Sequence, residues 1–422
     1  MKQLLIIGNG FDLACGLKSK YIDFYNAVIK DKYKFDFINN NIWALDQFIE
    51  AKNCTNIPEK DFWQYLLTCY SKSEEKSQNY NWCNIEDIIR KTLRSININP
   101  NYCDEAWRLL EVNNYEININ DEIHGFILSY CVKYFEINHE YDIPNESFST
   151  KTPAKLRNSL NNHLLTELKK LEKLFCEFIK AQIIASLDNK LEHDHNSYLI
   201  NTYKLFNKLI GFTNLRFVDL KVLFSLIESN SHINYEILKN TSVLSFNYIN
   251  PMAILQNVAK RKICEYSNVH GQICRNNKCE SCSSSNVIFG IDDSEVQSNI
   301  KANDIRIFSK TYRTLCEQGE KSILPLVNEL GTIKFFGHSL NEADYSYFQS
   351  IFDYYNIYEN TKITLEFYYM NFNPEAKKEM TDAVYKLINQ YGFTRDNKDQ
   401  GKNLMHKLIL EKRIRIIEII DF

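Results

Sequence analysis

Leu4, Leu5, Ile6 and Ile7 run straight into Gly8-Asn9-Gly10, and Gly16-Leu17 follows at a short interval. A continuous apolar run of this length predicts a strand buried on both faces of a parallel sheet. A glycine turn at its end lets backbone N–H groups approach a phosphate with no side chain in the way. The helix that follows turns its positive end to the same place. The chemistry this suggests is nucleotide binding, with a tight strand-to-helix turn that binds nothing as the competing reading. Leu13 stands where the dinucleotide fingerprint G-x-G-x-x-G needs its third glycine, so hydride transfer is not predicted.

Such a turn needs a sheet behind it, and the rest of the chain supplies candidates. From residue 31 to 235 the pattern is helical, with segments at Asp61 to Ser73, Asn84 to Ser95 and Thr152 to Leu187. In the last of these, Leu156, Leu160, Leu164, Leu168, Leu171, Phe175, Phe178 and Ile179 recur at steps of three and four, an apolar stripe that predicts a buried helix face. Thr152-Pro153 fits a helix start. Asp188 to Ser197 reads as a polar loop, whose His193 and His195 are expected to be solvated rather than metal-bound.

After residue 240 short apolar segments alternate with helices. They are Val243 to Phe246, Asn268 to Val269, Val287 to Phe289, Ile333 to Phe336, Ile363 to Tyr369 and Ile414 to Ile420. This alternation predicts an α/β fold with a doubly wound, mostly parallel sheet. The first strand belongs to that sheet if residues 1–30 and 236–422 form one discontinuous nucleotide-binding domain, with 31–235 as a large α-helical insertion domain. Glycine is scarce, 12 in 422 residues, yet Gly8, Gly10, Gly16, Gly271, Gly290 and Gly337 fall at predicted strand ends. Ligands of open α/β sheets sit beyond the carboxyl ends of the strands, so this clustering marks one rim.

Composition narrows the partners. A formal charge of −3 offers no general affinity for nucleic acid or acidic membranes, and no basic stripe or two-metal cluster points to a nuclease. Met1-Lys2-Gln3 precedes only four apolar residues, too few for a secretory signal, and no run of about 18 apolar residues occurs. A cytoplasmic location without membrane contact is expected. The 12 cysteines are scattered singly and read as reduced, mostly core, thiols.

The interval from Gly8-Asn9-Gly10 to Gly16-Leu17 resembles that of sirtuins, the NAD-dependent deacylases. Later segments fall in that family's order: Ser245-Phe246-Asn247-Tyr248, His270-Gly271, Val287 to Gly290 and Gly337-His338-Ser339-Leu340. More closely still, Ile7 to Ala14 with Gly16-Leu17 and Tyr21, Phe246-Asn247-Tyr248, and Gly337 to Leu340 with Asp344 are similar to the bacterial AbiH family, associated with abortive phage infection. The spacing from Trp82 to Glu86 fits the same pattern.

The resemblance implies a sirtuin-like (Rossmann-like) core that takes NAD as substrate. Asn247, as a hydrogen-bonding partner of ribose or water, and His270, as proton acceptor, would be catalytic. Gly8, Asn9, Gly10, Asp12, Gly16, Tyr248, Gly337, His338 and Ser339 would bind the dinucleotide, the first three at its phosphates and Gly337 with Ser339 at its adenosine half. Read alone, Asn247 also fits a cap of the helix that Pro251 signals, and His270 a core histidine. His338 fits a turn residue, Asp12 a first-turn carboxylate, and Glu342 and Asp344 helix caps.

Two departures shape the expected activity. Ile249 stands where sirtuins usually carry Asp, a contact that Asn250 would have to replace. Cys274, Cys279 and Cys282 do not make the two C-x-x-C pairs of the deacylase zinc module, and a zinc ion on them with His270 would consume the proposed base, so no metal is expected. Without that module water is the simplest acceptor. The reading is an antiphage NAD glycohydrolase, with a non-catalytic NAD or ADP-ribose sensor and an ADP-ribosyltransferase as alternatives. Homo-oligomerisation and a phage component or companion defence protein are the partners this role implies.

Overall fold

The computed structural model describes residues 2–30, 61–75, 85–98, 101–112, 122–139, 152–188, 198–211, 239–252, 264–271, 273, 287–291, 305–316, 324–340, 344–394 and 401–420. Along the chain, β1 (Lys2–Ile7) leads into α1 (Gly10–Ala14) and α2 (Tyr21–Phe24), which continues as a π-helical turn (Tyr25–Ile29). Then come α3 (Phe62–Glu75), α4 (Ile85–Asn97), α5 (Tyr102–Val112), α6 (Glu122–His139), α7 (Thr152–Asp188) and α8 (Tyr198–Leu209). The remainder runs β2 (Thr241–Ser245), β3 (Glu265–Asn268), α9 (Lys310–Cys316), β4 (Leu330–Phe336), α10 (Tyr345–Tyr354), β5 (Thr364–Tyr369), α11 (Ala376–Thr394), α12 (Leu404–Leu410) and β6 (Ile414–Glu418). The chain divides into two compact units, one of Met1–Ser19, Ile179–Val287 and Gly319–Phe422, the other of Lys20–Phe178 and Ile288–Gln318.

The first unit is built on a six-stranded sheet in the order β3-β2-β1-β4-β5-β6, with every pair parallel. The α/β reading therefore holds. Leu4 to Ile7 are fully buried, as the continuous apolar run requires of a central strand. β5, one strand in from the β6 edge, alternates half-buried and buried positions instead. On one sheet face Phe335 of β4 stacks on its register partner Phe367 of β5 at 4.5 Å, and Phe348 and Phe352 of α10 close over Phe335. Phe352 in turn meets Tyr391 of α11 at 5.2 Å. Because the sheet order runs outward in both directions from β1 and β4, the carboxyl ends of these two strands flank a topological switch point.

The second unit is helical. In α7 every residue of the stripe from Leu156 to Phe178 is buried, and Ile179 beyond it is too. Phe175 packs against Phe24, Tyr21 and Phe289 at 5.3–5.8 Å. Trp63 of α3 donates its indole N–H to the Leu164 carbonyl at 2.9 Å, which satisfies the one polar atom of a buried ring.

Val287 to Phe289, expected as a strand, is not part of the sheet, although its three side chains are buried. At Phe289 side chains, not a ladder, satisfy the backbone. The Phe289 N–H donates to Glu172 of α7 at 2.8 Å, and its carbonyl accepts from Arg313 of α9 at 2.9 Å. Arg313 also binds Glu172 in a two-pronged ion pair, at 2.6 and 2.8 Å, with both side chains buried. A short apolar run looks the same in sequence whether strand or loop backbone carries it inward.

Removing one member of a buried pair leaves the other charge stranded. Glu172→Ala is expected to cost about 3–5 kcal/mol. Chemical denaturation followed by fluorescence checks this, and a loss below about 1 kcal/mol would mean that the pair is not buried in solution.

Candidate active site

Two turns meet at the switch point. Gly8 N–H continues the β1 ladder to the Phe336 carbonyl at 3.0 Å, and Gly10 N–H donates to the Gly337 carbonyl at 2.7 Å. A Cβ on Gly8 would lie 2.5 Å from the His338 Cα, and one on Gly10 2.6 Å from the Gly337 Cα. Gly337 has φ +68°, and a side chain there would strike the Phe11 amide. The turns therefore interlock backbone to backbone, which only glycine permits. Asn9 is exposed above them and exchanges hydrogen bonds with Ser19, accepting from its hydroxyl at 2.6 Å and donating to its carbonyl at 3.3 Å. Ser339 is exposed on the β4 side.

Gly16 has a different task. It is exposed, with φ +92°, just past the end of α1. Its N–H binds the Leu13 carbonyl and the Leu17 N–H binds that of Asp12, the paired bonds that end a helix on a left-handed glycine. The fixed interval from Gly10 to Gly16 is thus the length of one short helix plus its stop.

Asn247 comes off the end of β2. Its amide nitrogen donates to the Gly8 carbonyl at 3.0 Å and to Asp12 Oδ2 at 2.6 Å, which spends both its hydrogens and fixes which way the amide faces. Toward a ligand, Asn247 therefore offers only its acceptor oxygen. The capping role that sequence left open belongs to Asn250, whose Oδ1 accepts from the Met252 N–H at 2.9 Å. Tyr248 is half-buried, and its carbonyl accepts from Ile273 N–H.

Asp12 is fully buried and also accepts the Tyr198 hydroxyl of α8 at 2.6 Å. Burial pushes its carboxyl up from 3.8 to about 7, against the pull of the bonds from Tyr198 and Asn247. Nothing in the sequence pattern near Tyr198 announced this contact.

A second cluster centres on Asp344, immediately before α10. Its side chain does not cap that helix. Instead Asp344 Oδ1 lies 2.7 Å from His270 Nε2 and Oδ2 lies 3.2 Å from His338 Nε2. His338 Nδ1 accepts from the Leu340 N–H at 2.8 Å, so its proton sits on Nε2, facing the carboxylate. Leu340 has φ +55°, unusual for a branched side chain. The Phe246 ring stands edge-on to His338 and His270, at 4.8 and 5.7 Å. Phe246 and Asn247 are consecutive, so one dipeptide buttresses the imidazoles with its first side chain and reaches Asp12 with its second.

Among the described residues no group of three His, Cys, Asp or Glu side chains could hold a metal ion. Cys274, Cys279, Cys282, His193, His195, Trp82 and Glu342 lie outside the described residues. No described helix is long and apolar enough to cross a membrane.

Two outcomes follow from these contacts. Gly337→Ala is expected to cost about 3 kcal/mol or more, since it adds strain at positive φ to a backbone clash; a shift of the denaturation midpoint measures it. For Asp12, the folded chain holds a proton between about pH 4 and 7 that the unfolded chain releases. Stability therefore falls as pH rises through that window, by up to a few kcal/mol. Asp12→Asn should flatten that slope, read as the wild-type-minus-variant difference in unfolding free energy, and an unchanged slope would place the titration elsewhere.

The family model described as bacteriophage abortive infection AbiH matches residues 4–186 and 177–369. No curated protein and no solved structure matches the chain. The glycine turns, Asn247 and the imidazole cluster all lie within the matched span, and the chain belongs to the AbiH family of bacteriophage abortive infection.

Proposed function

We propose that this abortive-infection protein hydrolyses NAD to ADP-ribose and nicotinamide at the β1/β4 rim. The observation that supports it most is that Asn247 and His270, 23 residues apart in sequence by the difference of their numbers, both stand at this rim, each held by a carboxylate. The sheet order, β3-β2-β1-β4-β5-β6, is that of Rossmann-type dinucleotide binders, and supports a sirtuin-like reading of the core. The helical segment between α1 and β2 is the natural seat of restraint and of partner sensing, in a cell that must not lose its NAD before infection.

The chemistry asks little of the protein beyond orientation and one base. The C1′–N bond breaks with its electron pair going to the nicotinamide nitrogen, which neutralises the pyridinium charge. Water adds to the oxocarbenium-like C1′, and its proton is released. Asn247, as a pure acceptor, orients the attacking water or a ribose hydroxyl through that group's hydrogen. His270 takes the proton. With the Gly8 and Gly10 amides committed to β4, the phosphate contacts fall to Asn9 and Ser339, the exposed members of the rim.

One observation favours the second reading, a sensor that binds NAD or ADP-ribose without turning it over. Asn247 and His270 are only 4% and 2% exposed, so turnover needs the rim to open.

The test is NAD loss with nicotinamide and ADP-ribose release, by purified wild type, Asn247→Ala and His270→Ala, in buffer and with lysate of phage-infected cells. Hydrolysis that each substitution lowers by about 10²-fold or more, with the fold intact by circular dichroism, is the expected result. NAD binding without turnover in either condition selects the sensor. Label transferred to protein in place of free ADP-ribose identifies an ADP-ribosyltransferase, and no binding at all overturns all three.

A further inference from the structure

We propose that Asp344 is the positioning residue of His270, holding its imidazole with the proton on Nε2 and the basic lone pair on Nδ1, and that His338 is a fixed second donor to Asp344 and not a second base. From the reading above, this takes only that His270 is the proton acceptor.

The assignment starts from the carboxylate. An ionised Asp has acceptors only, so each imidazole nitrogen that faces it does so as a donor. His270 Nε2, 2.7 Å from Oδ1, is then N–H, and in the neutral ring the lone pair falls on Nδ1. A carboxylate behind a general base does two things: it selects one tautomer and orientation, and it stabilises the imidazolium formed when the base takes its proton. Asp344 is built for both. It sits just before α10, whose Tyr347 ring lies 5.4 Å from the His270 ring and whose Phe348 ring lies 4.9 Å from that of His338. With Phe246, these aromatic rings shield the His270 side of the pair from water and strengthen the charge-assisted bond.

Sequence offers two histidines at this rim, and the geometry separates them. His338 Nδ1 already accepts from the Leu340 N–H at 2.8 Å. A proton placed there would set N–H against N–H in a turn whose Leu340 is already in the left-handed region. His338 therefore keeps one tautomer, with Nε2–H toward Oδ2. Its bond at 3.2 Å holds the carboxylate plane so that Oδ1 stays aimed at His270. The proton in the proposed reaction passes from water or a ribose hydroxyl to His270 Nδ1; Nε2–H stays in place, and Asp344 stays ionised.

Among the described residues, the groups facing His270 include Asp344 and Tyr347 from the start of α10, Phe246 from the end of β2, and His338 through Asp344. Asp344 supplies the one negative charge in this set, so it should govern the titration of His270.

The test is nitrogen NMR of histidine-labelled wild type, Asp344→Asn and Asp344→Glu across pH 5–9, with His270→Gln to assign the signals, beside NAD turnover. In wild type, neutral His270 should carry its proton on Nε2, and neutral His338 should carry its proton on Nε2 as well. In Asp344→Asn the His270 midpoint should fall by about one pH unit or more. Asp344→Glu, which restores the charge, should recover part of that shift. Where wild type hydrolyses NAD, Asp344→Asn should lower kcat by about 10²-fold or more with KM within a few-fold.

An Nδ1–H tautomer of His270 in wild type overturns the assignment, even if Asp344→Asn fails to fold. An unchanged midpoint in a folded Asp344→Asn overturns it as well. Absence of NAD turnover in wild type defeats the hydrolase reading alone, because tautomer and midpoint are read without substrate.

Discussion

The rim depends on two turns sharing a space that no side chain can enter. β1 and β4 are parallel neighbours, and the chain leaves both strands at the same level. Gly8 and Gly10 on one side and Gly337 on the other let those exits interlock, with Gly10 N–H bound to the Gly337 carbonyl. Everything chemical hangs from this contact. The Gly8 carbonyl anchors Asn247, α1 begins at Gly10 and carries Asp12 inward, and the turn after Gly337 presents His338 to Asp344. The glycines that a nucleotide-binding reading assigns to a phosphate are demanded by the fold itself, whose strand exits leave no room for a side chain.

Polar groups buried beneath such a rim must be neutral or fully partnered. Asp12 takes the first course in part, with its carboxyl pushed up to about 7 by burial while Tyr198 and Asn247 share its oxygens. Asp344 takes the second and divides its two oxygens between two imidazoles. Lys334 in the same sheet donates to the Leu209 carbonyl at the end of α8 and faces Glu366 of β5 at 3.9 Å. Burial holds its ammonium below the usual lysine range, against the opposing pull of Glu366. A helix C-terminus is a favourable place for that cation.

The helical unit is held together by other means. Its longest helix buries one apolar stripe, and Glu172 emerges from that helix to satisfy both Arg313 and the backbone of Phe289. Gly290 beside it sits against the Phe308 carbonyl, too close for any side chain. In sequence this glycine looks like those of the rim; in space it belongs to the other unit and serves packing.

Sequence by itself determined what local periodicity determines. The run Leu4 to Ile7 meant a central strand, the three-and-four spacing from Leu156 to Ile179 meant a buried helix face, and glycines at strand ends pointed to the sheet's carboxyl edge, because burial repeats with the geometry of a strand or helix. Only the tertiary structure decided who partners whom. Tyr198 reaches Asp12 across 186 residues and His270 reaches Asp344 across 74, separations over which no periodicity operates. Asp344 in sequence is a carboxylate before a helix, with capping as its ordinary role, and it takes a different one because two imidazoles arrive at the same point from β3 and β4. Val287 to Phe289 shows the same limit from the other side. Its apolar pattern required burial, and whether a neighbouring strand or the Glu172–Arg313 pair met its backbone was a matter of what lay beside it in space.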